Sequence, residues 1–153
     1  MSYRVRGLAP EQFEPLFDLA DAELKARGVE RVVVESKPSA PCRISLDDAE
    51  IGETVLLLNY LHQPADTPYR QQGPIFVRRG CAPFDANRLG PALARRPLSL
   101  RAFDANGSMI DADLAEGAAI EPTIERFFAN PATAYIHAHY AKRGCFAARI
   151  DRA

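Results

Sequence analysis

The chain is poor in the features that would declare its class. Of 153 residues none is Trp, two are Met and three are Cys. The cysteines are odd in number and widely spaced, at Cys42, Cys81 and Cys145, with no Cys-x-x-Cys pair. That argues against a disulfide framework and an all-cysteine structural zinc site, and for a reducing compartment. No apolar run approaches the ~20 residues that cross a bilayer. Charged residues and proline, not an apolar stretch, follow Met1 to Gly7, which reads as no secretory leader. A cytoplasmic protein that binds no membrane is expected. Neither sign of charge dominates: 19 basic and 20 acidic side chains leave a net charge of −1. Residues 1 to 76 carry −4 and residues 77 to 153 carry +3. That is too even for a polyanion partner, so no nucleic acid is expected. Lysine is scarce too. Only Lys25, Lys37 and Lys142 accompany sixteen Arg, a bias that fits a GC-rich bacterial genome. GxGxxG, P-loop, HExxH and G-x-S-x-G patterns are all missing. So are internal repeats, low-complexity tracts and long linkers. The expectation is one domain over residues 1–153.

What is present reads as alternating short elements. Tyr3 to Leu8 alternates as a strand. Pro10 to Arg27 carries a helical stripe of Phe13, Leu16, Phe17, Ala20 and Leu24. Pro15 moves the helix start to near Glu14, and Gly28 is its C′ residue. Strands are expected at Val29–Glu35, Cys42–Leu46 and Thr54–His62. The last of these is apolar on both faces and so central. A polar loop, Gln63–Gly73, leads to a strand at Pro74–Arg79. Gly80–Arg96 is irregular, with a short helix near Leu93. Pro97–Phe103 and Ser108–Leu114 flank an Asn-Gly turn and make a hairpin. Ala118–Ala129 is a helix with Ile120, Ile124, Phe127 and Phe128 inward, stopped by Asn130-Pro131. Thr133–Tyr140 and Cys145–Asp151 close the chain as a second hairpin. Strands outnumber helices and the links are hairpin-like. The expected fold is α+β, with a largely antiparallel sheet and about two helices.

The chemistry concentrates in three histidines. His137 and His139 are two apart in a strand, so both leave one face. Two such imidazoles can hold one ion, and His62, ending the central strand, can supply a third ligand. Three protein ligands plus water is the plan of a catalytic zinc site. The alternatives are polar ligand contacts, or histidines that merely hydrogen-bond and stack. The register of the closing hairpin bears on this. With a four-residue loop at Ala141–Gly144, His139 opposes Phe146 and the histidine face is partly buried. A slip of one residue brings Cys145 and Arg149 to that face instead. Cys145 follows Lys142-Arg143-Gly144, and nearby cations favour a thiolate. It is the weak nucleophile candidate, with His137 or His139 as base. In the loop after His62, Tyr69 offers a stacking face, and Arg70 a planar fork for carboxylate or phosphate. The alternative is that Tyr69 packs and Arg70 pairs with a carboxylate. Asp111 and Asp113 share one strand face and are expected to be solvated there, near Arg101.

Two stretches resemble a known family. One is Leu56 to Pro64 with Thr67-Pro68-Tyr69-Arg70 and Gly73 to Arg78. The other is Tyr135 to His139 with Gly144 to Arg149. Tyr3-Arg4-Val5 and Pro41-Cys42-Arg43 agree as well. The chain resembles, over nearly its whole length, a bacterial family defined only as domain of unknown function 1203. The resemblance implies a small single-domain protein, and it carries over no catalytic residue. His62, Tyr69, Arg70, His137, His139 and Cys145 all lie in the two resembling segments, which suggests a shared pocket.

Two functional expectations follow. One is a polar pocket for a small anionic ligand, with Arg70 on the anion, Tyr69 stacking, and His62, His137 and His139 lining it or coordinating a divalent metal such as zinc. Its enzymatic form is a metal- or Cys/His-dependent hydrolase or transferase. The other is a non-catalytic interaction or regulatory protein with structural histidines. The sequence leaves the oligomeric state open.

Overall fold

A computed structural model describes residues 2–153. It is an α+β fold of nine strands in two antiparallel sheets. In chain order the strands are β1 (Tyr3–Arg6), β2 (Glu30–Val33), β3 (Thr54–Gln63), β4 (Gln71–Val77), β5 (Asp85–Ala86), β6 (Pro97–Phe103), β7 (Met109–Glu116), β8 (Tyr135–Tyr140) and β9 (Phe146–Arg152). Three α-helices accompany them: α1 (Asp21–Ala26), α2 (Pro91–Ala94) and α3 (Glu121–Ala129). The larger sheet runs β5-β1-β9-β8-β6-β7 and the smaller β2-β3-β4. Among the described residues no helix is long and apolar enough to cross a membrane.

The larger sheet has two unlike faces, and sequence alternation sets them. Leu98, Leu100 and Ala102 of β6 and Ile136, Ala138 and Tyr140 of β8 point one way. They pack under the Ile120, Ile124, Phe127 and Phe128 stripe of α3, which repeats at helical spacing. Pro122 is tolerated in the first turn of that helix. The intervening residues Ser99, Arg101, Tyr135, His137 and His139 therefore take the other face. The pairs Ser99–His139 and Arg101–His137 sit directly opposite across β6 and β8. Against this second face comes the far end of β3. That strand is central to its own sheet, as its two-sided apolar pattern requires. Leu56 and Leu58 look into a second core with Phe13, Phe17, Leu24 and Ile75, and Val55 looks into a third, smaller one.

The helix expected over Pro10–Arg27 is broken. Two 3₁₀ turns, Pro10–Gln12 and Glu14–Asp18, precede a six-residue α1. Leu19 and Ala20 are extended between them. Pro15 sits in the first turn of the second 3₁₀ segment, where proline is tolerated, and the interruption falls at Leu19 and Ala20, so the apolar stripe survives as packing without a continuous helix. Cys42–Leu46 is a turn held by isolated bridges, Pro41–Asp48 and Cys42–Phe76, rather than a strand. The Asn-Gly hairpin forms as expected, with Gly107 at φ 81°.

The closing hairpin resolves the register in an unexpected way. Tyr140 and Cys145 close a four-residue loop, and His139 faces Phe146. A bulge then intervenes, and His137 faces Arg149. Both registers drawn from the sequence occur, one on each side of the bulge. An inserted residue in one strand flips the alternation beyond it. The histidine face thus carries Phe146 and Arg149 together.

Candidate metal centre

His62, at the end of β3, meets His137 and His139 of β8. One nitrogen from each lies within 4.8 Å of those of the other two. All three side chains are buried, His139 completely. Phe146 organises the cluster. Its ring stacks on His62 at 5.2 Å with an interplanar angle of 1°. It meets His137 and His139 edge-on at 5.1 and 5.8 Å. Behind Phe146 lies Arg43, the largest of the fully buried side chains. Its Nε donates to the Phe146 carbonyl at 2.7 Å, Nη1 to the Pro41 carbonyl, and Nη2 to Cys145 Sγ at 3.1 Å. The guanidinium lies 4.9 Å from the Tyr140 ring centroid. Arg43 thus pins the 41–46 turn to the start of β9, and so fixes the ring on which His62 rests.

The hydrogen bonds of the imidazoles are incomplete. His139 Nδ1 sits 2.9 Å from the Gly144 carbonyl oxygen. A carbonyl only accepts, so Nδ1 carries the proton and Nε2 keeps its lone pair. That Nε2 is buried without a partner. His62 Nδ1 and His137 Nδ1 are likewise buried and unpartnered. Each such atom costs about 1–3 kcal/mol unless something satisfies it. Burial lowers the pKa of all three histidines, to about 4 for His62 and about 3 for His137 and His139. The charge of Arg101 reinforces the shift at all three, neighbouring imidazoles do so at His137 and His139, and the bond to the Gly144 carbonyl opposes it at His139. At neutral pH the imidazoles are therefore uncharged, the form that ligates metals. A tetrahedral zinc with Zn–N of about 2.0–2.1 Å sets its ligands about 3.3 Å apart. The three nitrogens lie within 4.8 Å of one another before any ion draws them together.

The cluster opens on one side. His62 and His137 line a cavity of about 270 Å³ with Gln63, Asn106, Tyr135 and Arg149. Gln63 Nε2 donates to the Tyr135 hydroxyl at 2.9 Å, and Gln63 Oε1 accepts from the Ala65 N–H at 3.2 Å. Gly107 closes over Ala65, and its carbonyl accepts from Thr67 Oγ1 at 3.2 Å. Arg149 lies over the Tyr135 ring at 4.2 Å and gives its Nε to Asp151 at 2.8 Å. Its two Nη groups make no hydrogen bond among the described residues.

Tyr69 and Arg70 are not in this cluster. They line a separate cavity of about 430 Å³ with Pro68, Gln71, Arg101, Phe103 and Met109. Tyr69 is exposed, and Arg70 Nη1 donates to the Pro64 carbonyl rather than to a carboxylate. Arg101 joins the two regions, being opposite His137 and hydrogen-bonded to Gln71 Oε1 at 3.1 Å. It pairs with no carboxylate among the described residues. Arg101 is the charged group that the sequence did not single out for the site, whereas Arg149 reaches it through the second of the two registers. The strand period alone would have put Arg101 on one of two faces, and only the pairing of β6 with β8 decides which.

Cys145 stands apart from the histidines. It packs against the α3-side core and accepts from Arg43, and it makes no hydrogen bond to a histidine among the described residues. Asp111 and Asp113 are surface groups, as expected. Their partner is Arg126 of α3, not Arg101, which lies on the opposite face.

A family model described as Protein of unknown function (DUF1203) matches residues 39–152. All three histidines, Arg43 and the three cysteines fall within that span. No curated protein and no solved structure matches the chain.

Proposed function

We propose that this chain, which belongs to the DUF1203 family, carries a mononuclear divalent-metal centre held by His62, His137 and His139. Zinc fits first, because an all-imidazole set of three with an open side is the pattern of catalytic zinc. The observation that carries the reading is the convergence of three buried, neutral imidazoles with unpartnered nitrogens from two different sheets. When bound, such an ion would supply a water of lowered pKa and polarise a carbonyl or phosphoryl oxygen. The chain's own part is to hold three lone pairs in one place, exclude bulk water with Phe146, and present Arg149 at the mouth. A small anionic substrate fits there, in a hydrolase or transferase, because among the described residues Arg149 has free Nη groups and Arg101 lacks a counterion. Tyr69 and Arg70 extend the same anion-favouring surface beyond Arg101.

A second reading is favoured by Arg101 alone. A cation beside the histidines repels a metal ion, and the pocket would then take an anion directly, with imidazole N–H groups as donors. Calorimetric titration of untagged, metal-stripped protein with zinc or cobalt separates the two. Stoichiometric binding that His139→Ala abolishes supports the metal centre. Metal silence, with phosphate or acetate binding that Arg101→Met abolishes, supports the second reading and overturns the first.

A further inference from the structure

A separate pair of groups lies outside the histidine cluster. Cys42 and Cys81 are 39 positions apart in sequence, yet their sulfurs are 3.9 Å apart. Cys42 is wholly buried in the 41–46 turn, and Cys81 is partly open in the turn after β4. The two are held there by chain-wide contacts. The Cys42 residue bridges Phe76 of β4, and Arg43 N–H donates to the Phe76 carbonyl at 3.0 Å. Cys42 Sγ accepts from the backbone N–H of Ile44 at 3.3 Å and of Arg78 at 3.4 Å. Cys81 Sγ reaches the Arg78 carbonyl at 3.7 Å. Donors of this kind, together with a neighbouring thiol, favour the thiolate form of a sulfur. The bond from Cys81, with the backbone and hydroxyl of Ser45 and the backbone N–H of Ile44, holds Cys42 down to about 5 against the cost of burial. The same bond pushes Cys81 up, so the two share one proton between them.

We propose that Cys42 and Cys81 form a reversible intramolecular disulfide, a thiol modification site in which a peroxide is the oxidant. The fold already brings the two sulfurs to 3.9 Å, against the roughly 2.0 Å of an S–S bond, so the bond joins elements that are in contact beforehand. The accessible Cys81 meets the oxidant. As it does so the shared proton passes to Cys42, the Cys81 thiolate attacks one peroxide oxygen, the O–O bond breaks, and a sulfenic acid forms while the released hydroxide takes a solvent proton to become one water. Cys42 then attacks the Cys81 sulfur, the S–O bond breaks, and the oxygen leaves with the proton of the second thiol as another water. Two thiols are oxidised by two electrons and one peroxide is reduced to two waters. A dithiol reductant reverses the bond. The product ties the 41–46 turn to the end of β4. Arg43, next in sequence to Cys42, reaches Phe146 under His62, so the clamp stands one residue from the support of the histidine cluster.

The test uses the full untagged chain, freshly reduced and treated with one equivalent of hydrogen peroxide. Thiols are then titrated after unfolding, and peptides are mapped without reduction. The expected result is loss of two of the three thiols, a chain lighter by two hydrogen masses, and a Cys42–Cys81 linked peptide that a dithiol reductant abolishes. Cys145 stays free. In Cys81→Ser the loss of the linked peptide is expected with Cys42 still titratable. Three thiols persisting in the wild-type chain, or a bond joining Cys145 or two chains instead, would overturn the proposal. Because the readout is covalent, it stands or falls independently of whether the histidines bind metal.

Discussion

The molecule contains two buried polar clusters that solve the same problem in opposite ways. Asp48 is wholly buried, and both its oxygens are used. Arg95 Nη1 donates to Oδ2 at 2.6 Å, and Arg96 donates to both oxygens at 2.6 and 3.0 Å. Burial alone would raise its carboxyl, but the hydrogen bonds and charges of Arg96 and Arg95 outweigh that and hold it below its ordinary range. The histidine cluster is buried too, and it gathers three of the four buried side-chain atoms that have no partner among the described residues, the Tyr140 hydroxyl being the fourth. A fold that satisfies one buried polar group so fully does not leave three others open for want of means. Unsatisfied groups gathered in one place mark a site that something else completes.

Breaking the satisfied cluster should have the largest effect. Asp48→Asn removes the charge that two arginines share, and should cost about 3 kcal/mol, or about 6–12 °C in Tm. Most of this belongs to Arg96, because Arg95 is 40% exposed and its share is screened. Metal binding should be unchanged, and a thermal melt with a zinc titration checks both. The same variant sharpens the pH dependence. A carboxyl lowered in the folded state contributes stability that is fully present above its unfolded pKa of about 4. That contribution is lost as pH falls through the lower folded value. Asp48→Asn should therefore flatten the acid side of the stability curve in urea titrations run at stepped pH.

Filling the open cluster comes next in size. Zinc at a hundred times its Kd should stabilise the wild type by about 2.7 kcal/mol. His139→Ala should show no such increment in the same melt. The smallest effect is the most telling for the comparison. In metal-free protein, His137→Leu should be neutral or stabilising by about 1 kcal/mol, since it removes a buried polar atom that has no partner. A loss of 2 kcal/mol or more in urea unfolding would put the histidine among the structural groups, alongside Asp48.

The legible part of the site was the part set by local period. Residues two apart in a strand share a face, so His137 and His139 belonged together from sequence alone. The end of the two-sided apolar strand brought His62 within reach, though only sheet pairing makes the approach real. What stayed hidden depended on tertiary insertion. One bulge in β9 combines two registers that the sequence offers as alternatives, and no residue type announces it. The Pro10–Arg27 stripe is interrupted at the extended Leu19 and Ala20, beyond Pro15, because an apolar stripe can be buried without helical continuity. Cys42 and Cys81 meet only because the 41–46 turn docks on β4, and widely spaced cysteines gave no hint of it. Nothing in the sequence singled out Arg43 for burial. Its burial follows from three acceptors and one aromatic face supplied by distant segments.

The central claim is that the three histidines exist to hold a metal. Elemental analysis of untagged protein, purified without chelator, tests it most directly. The account predicts about one zinc, iron or manganese per chain, lost in His137→Ala while the variant remains folded. Metal-free protein that takes up none of these ions when they are supplied would contradict it.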